Sequence, residues 1–227
     1  MMDGIFASPF FGVALSVAAF WVGLKLQKRT GLVLCNPLLI AIVLVSAVLL
    51  ILRIPYEDYN AGGAVVNLFL APATACLAVS IYTKLPLLKK NALPILVGCA
   101  VGSLTSMGSV WGLCRLFRLD EAMTASLMPK SVTTPIAIGI AGSHGGIQAV
   151  TVVAVILTGI LGSILAPVLI KLFRIKDPVE AGLAIGACSH AVGTSKALEL
   201  GETEGAMSGL AIGVCGILTV ALSLFIM

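Results

Sequence analysis

Two short blocks carry almost all of the chemistry this chain offers. The first is "PKSVTTP", where Lys130, Ser131, Thr133 and Thr134 stand between Pro129 and Pro135. The second is "SHAVGTSKALEL", which packs Ser189, His190, Thr194, Ser195, Lys196 and Glu199 into a single stretch. Prolines break helical hydrogen bonding and free backbone donors. A helix that starts beside such a break adds the positive end of its dipole. Hydroxyls, a cation and loose N–H groups together are the parts that hold a small anion. His190 can change charge near neutral pH, and Glu199 is spaced to pair with Lys196 along a helix. The candidate binding set is therefore Lys130, Ser131, Thr133, Thr134, Ser189, His190, Thr194, Ser195 and Lys196, with His190 and Glu199 as candidates for a coupled proton.

The elements that must position these groups are set by an apolar chain. Of 227 residues, 59% are hydrophobic and only 11% charged, and mean hydropathy is +1.12. A soluble domain carries about 25% charged residues, whereas a bilayer-crossing helix needs roughly 20 apolar ones. Uncharged runs at residues 5–26, 37–52 (extendable to 54), 62–83, 92–113, 147–170 and 206–227 meet or approach that length. The expectation is an all-α polytopic membrane protein, one transmembrane domain over 1–227, with about six full spans. The start of the chain has no basic region or small-residue cleavage site, so the first span is expected to be retained.

Two regions remain, about 121–146 and 177–205, each rich in Gly, Ser, Thr and Pro. If neither crosses, Lys25, Lys28, Arg29, Lys84, Lys89, Lys90, Lys171, Arg174 and Lys176 share one side, against Arg53, Arg115 and Arg118 on the other. If both cross, the split becomes even. Lysine and arginine asymmetry sets orientation, which favours two re-entrant or broken-helix hairpins and an N-terminus outside the cytoplasm. With one span between them the hairpins enter from opposite faces, the geometry of an inverted repeat. The only sequence trace of a repeat noted is "GIL" at Gly159 and again at Gly216, with Ser131 and Ser189 before them.

Non-helical backbone is tolerated at membrane depth only where it lines a cavity. A lysine there costs about 2.5–3.5 kcal/mol and needs a partner. The alternative is that Lys130 snorkels to the headgroups. Glu202 and Glu204 read as a solvated turn before the last span, and His144 as a turn residue at the mouth of the first hairpin.

Other chemistries lack their parts. The six cysteines (Cys35, Cys76, Cys99, Cys114, Cys188 and Cys215) show no metal-binding spacing, and no metal or cofactor is expected. There is no phosphate-binding loop, nucleophile elbow or zinc-protease motif. No nucleophile, base and orienter can be named, so an enzyme is not expected. No basic patch with interleaved aromatics suggests nucleic acid.

"PKSVTTPIA" (129–137) and "SHAVGTSKALEL" (189–200), with "CNPLL" (35–39) and "GLAIG" (182–186), resemble the LrgB/CidB family of bacterial inner-membrane proteins, in particular its YohK-like members. The chain departs from that pattern at His144 and Gln148. The resemblance implies eight segments, or six plus two, and a small LrgA/CidA-like membrane partner. It implies one of two roles. One is transport of small carboxylates such as glycolate, glycerate or pyruvate, as in the related plastidial glycolate/glycerate translocator. The other is holin/antiholin-like control of murein hydrolase export and autolysis.

Overall fold

The computed structural model describes residues 6–31, 35–69, 72, 75, 76, 79, 82 and 85–227, and every regular element among them is a helix. Contacts divide the chain into two compact units, residues 1–74 and 75–227.

In the first unit, α1 (Pro9–Thr30) packs against both α2 (Pro37–Ile51) and α3 (Tyr56–Asn67). Asn36 starts α2 by accepting from the N–H groups of Leu38 and Leu39. Pro37 follows at a position where a missing N–H is no loss. Glycines bring the backbones close: Gly12 lies on Gly62, and Gly23 on Pro37, with no room for a Cβ at either. The Ser16 hydroxyl donates to the Gly12 carbonyl at 2.7 Å and shares a hydrogen bond with the Tyr59 hydroxyl at 2.9 Å. Most of the expected span over 62–83 lies outside the described residues.

The second unit contains α4 (Leu85–Lys90), α5 (Ala92–Leu116), α6 (Glu121–Leu127), α7 (Thr134–Ser143), α8 (Gln148–Leu172), α9 (Pro178–Leu200) and α10 (Glu202–Ile226). α1, α5, α8 and α10 are each long and apolar enough to cross a bilayer, and the protein is an all-helical polytopic membrane protein. α10 starts earlier than the expected 206. Glu202 and Glu204 are not a turn but its first helical turn, where carboxylates offset the positive helix end.

α6, the loop 128–133 and α7 form the first hairpin. The Ile147 N–H donates to Ser126 Oγ at 2.7 Å, so the chain leaves α7 beside the place where α6 ended. The second hairpin is α9 itself. It is helical except at His190, whose φ of 41° and ψ of −140° break it in two. There the chain turns back. Ile185 and Ala197 pack in one cluster with Ala166, a contact that a straight helix rising about 1.5 Å per residue would stretch to roughly 18 Å. The ascending arm (178–189) lays Gly182 on Glu204 and Gly186 on Ser208, parallel to α10, while Leu198 of the returning arm (191–200) meets Gly205.

α8 meets the ascending arm in reverse order: Gly159 beside His190, Gly162 beside Ser189, Ala166 beside Ile185. The first hairpin is rooted at the start of α8 and the second at its end. The two hairpins are therefore rooted at opposite ends of α8. This inverted pairing has a sequence signature that "GIL" did not reveal. "RLFRL" closes α5 and "KLFRI" closes α8, with Arg118 and Arg174 both at φ 54°. In each, the next residue's N–H reaches back to a carbonyl of the last turn, Leu119 to Cys114 and Ile175 to Ile170. Each is followed by a capping aspartate, Asp120 or Asp177, that opens a hairpin. The first unit repeats the turn at Arg53, φ 52°, with Ile54 bonded to Leu49.

Close packing of hairpin on span predicts unequal costs for one added methyl. Gly186→Ala, whose Cβ meets the Ser208 backbone and Ala211, should destabilise by about 1–3 kcal/mol. Gly209→Ala, with nothing within 4 Å, should leave the thermal midpoint in detergent unchanged or higher. Equal midpoints would contradict this packing.

Candidate functional site

The two hairpin tips end at the middle of the long helices. At the first tip, Ser131 Oγ lies 2.7 Å from Ser106 Oγ, near the centre of α5. Ile136 reaches Gly216 near the centre of α10. At the second, His190 and Ser189 fill a notch at Gly159 and Gly162, the centre of α8. A Cβ on either glycine would collide with the tip. Absence of that Cβ also bares the Val155 carbonyl, which accepts from His190 Nε2–H at 2.9 Å. This bond fixes the proton on Nε2. The Val155 side chain packs with Val132 and Ala137 of the first hairpin, so one residue of α8 touches both tips. Lys130 lies within electrostatic range of Cys188 and His190, so the first tip's cation is near the second tip.

Lys130 is half-buried, and Nζ donates to Ser131 Oγ at 3.3 Å. Among the described residues no carboxylate pairs with it; the ion pair found is Lys196–Glu199, at 2.7 Å. Thr133 is the N-cap residue of α7, yet its side chain makes no capping bond. Its hydroxyl is buried and has no hydrogen-bond partner among the described residues, although the residue is only 9% exposed. Such an orphaned group costs about 1–3 kcal/mol. Thr134 opens α7, whose first-turn N–H groups have no acceptor inside the helix. A cation, a buried hydroxyl and a helix start thus lie within the five residues 130–134.

The second block divides. Ser189 and His190 are buried at the tip. The Thr194 hydroxyl ties the returning arm down, donating to the His190 carbonyl at 2.9 Å and sharing a bond with Ser208 at 2.7 Å. Ser195 is exposed, its hydroxyl turned to the Ala191 carbonyl. Lys196 has its charge met by Glu199 further down the same arm. Of the two lysines, only Lys130 is left for another anion.

The first tip, its unpaired lysine and the "PKSVTTP" block belong to a stretch that comparison with known families identifies. The LrgB-like family profile matches residues 16–227. The chain belongs to the LrgB-like family. Antiholin-like protein LrgB of Bacillus subtilis (strain 168) is 39% identical over 214 residues, covering 94% of this chain and 93% of the relative. Proteins of the same name from Bacillus mycoides (strain KBAB4) and Bacillus cereus (strain B4264) are each 38% identical, with the same coverage. No solved structure matches.

Ser106, Val155 and Gly162 were not among the residues singled out in the sequence, and Gly159 was named there only as part of "GIL". Ser106 stands with Ser103, Thr105 and Ser109 in "SLTSMGS", a run of hydroxyls inside an apolar helix, and that run was the available signal. Val155 acts through a backbone carbonyl, which no residue type reveals.

The His190 bond gives the second prediction. His190→Ala removes the donor to Val155 and should lower stability by about 1–3 kcal/mol. It should also speed amide exchange in the returning arm, measured by mass spectrometry. Unchanged exchange there would mean that the tip is held by packing alone.

Proposed function

We propose that this LrgB-like chain is a transporter, or the main subunit of one, for small carboxylates such as glycolate, glycerate or pyruvate. The observation that carries this reading is the first tip, where among the described residues Lys130 meets no carboxylate and the buried Thr133 hydroxyl has no partner, at the start of α7. A carboxylate there would satisfy the lysine, the threonine hydroxyl and the first N–H groups of α7 together. Ser131, linked to Ser106, orients the ammonium group. His190, at the other tip, is our candidate for the coupled proton. Thr134, Ser189 and Thr194 line or support the same tips, whereas Ser195, Lys196 and Glu199 belong to the outer arm. No covalent chemistry is assigned to any of them. The partner in this reading is a small LrgA/CidA-like membrane protein, and the membrane is the bacterial inner membrane, with the N-terminus outside the cytoplasm.

A second reading is favoured by a different observation, the antiholin-like name that the curated relatives carry. The comparisons support that name more directly than they support transport. An antiholin-like protein would regulate murein hydrolase export through contacts with other membrane proteins, and a central anion site is not required for it.

Uptake of radiolabelled pyruvate and glycolate into membrane vesicles separates the two, with the chain co-expressed beside its partner. Transport predicts saturable uptake that falls at least about tenfold in Lys130→Ala, the loss of one charge-assisted interaction. Absent uptake, combined with a change in penicillin-induced lysis that Lys130→Ala leaves intact, would decide for the antiholin-like role.

A further inference from the structure

A cavity at the root of the first hairpin has no part in the central site. It is lined by Trp111 and Arg115 of α5, Glu121 and Thr124 of α6, Met128 and His144, with a volume of about 230 Å³. Arg115 lies 5.5 Å from the Trp111 ring centroid and, among the described residues, enters no ion pair. Glu121 lines the same cavity without closing onto it. His144 Nδ1 is held by the Ile140 carbonyl at 2.9 Å, which leaves Nε2 as the free ring nitrogen. The floor is Met128, buried, and the chain continues from it through Pro129 to Lys130. Arg115 is nine positions along α5 from Ser106, which bonds the first tip. At a rise of about 1.5 Å per residue that is roughly 14 Å, about half of the roughly 30 Å hydrocarbon core.

We propose that this cavity is an outer capture site for the same small carboxylates, with Arg115 as the cation and Trp111 as its wall. The inference rests on the transport reading for its ligand class. A guanidinium with free N–H groups is suited to a carboxylate, which it can hold with two parallel bonds. Glu121, beside it, repels an anion and keeps capture weak, as a site that must pass its ligand inward requires. An anion held here is separated from Lys130 by Met128 and Pro129.

Trp111 is a built-in reporter. Trp21 is the other tryptophan, so purified Trp21→Phe protein in detergent emits from Trp111 alone. Sodium pyruvate, titrated against sodium chloride at matched ionic strength, should change that emission saturably. Arg115→Gln should raise the half-saturation concentration about tenfold, Glu121→Gln should lower it, and Lys130→Ala should leave it within about twofold. A change that does not saturate, or that Arg115→Gln leaves alone, overturns the capture site. A change that disappears with Lys130→Ala instead also overturns it, because the ligand would then be reporting from the central tip. Loss of vesicle uptake with the Trp111 signal intact would sink the transport reading and leave the capture site standing.

Discussion

Val155 is the joint on which the second unit depends. Its side chain packs the first hairpin and its carbonyl accepts from His190 of the second. The underlying constraint is the bilayer. Backbone that leaves the helical pattern in hydrocarbon must find partners within the protein, at a cost of several kcal/mol for each group that does not. Two tips that stop beside the centres of long apolar helices are tolerable only if neighbouring helices wall them off. α8 does so through Gly159 and Gly162, which let the second tip come close enough for a side chain to reach a helical carbonyl.

Satisfaction of polar groups at the two tips is unequal. At the second tip His190 and Thr194 are bonded, and Ser208 joins Thr194. At the first, Thr133 has no partner among the described residues and Lys130 has only a neighbouring hydroxyl. The transport reading draws on this difference between the tips, and the antiholin-like reading draws on the names of the relatives.

The inverted pairing makes the asymmetry informative. α5 and α8 end in the same turn, with an arginine at positive φ and an aspartate cap opening each hairpin. An arginine in that conformation costs roughly 1–2 kcal/mol relative to one in the right-handed region, offset in part by its charge at a helix C-terminus. The same turn therefore precedes both hairpins. The tips themselves differ: a turned loop containing Pro129 on one side and a one-residue reversal at His190 on the other.

The sequence by itself determined the membrane class, the two polar blocks and the family, because those follow from local composition and contiguous motifs. Burial in lipid demands about 20 apolar residues in a row, and no distant contact can disguise such a run. It also placed Lys130, Ser131 and Thr133 at a break, since Pro129 and Pro135 act on their immediate neighbours. The "RLFRL" and "KLFRI" ends were equally present in the sequence, but an αL arginine has no compositional mark that glycine would have given. What only the tertiary structure decided is which groups are already satisfied. Lys196 and Lys130 look alike in sequence, yet one is paired along its own arm and the other is not. The reversal at His190, the Ser106 contact and the Val155 carbonyl all depend on residues far apart in the chain. Hydrogen bonding is settled by what the fold brings within about 3 Å, and spacing along the sequence does not encode that distance.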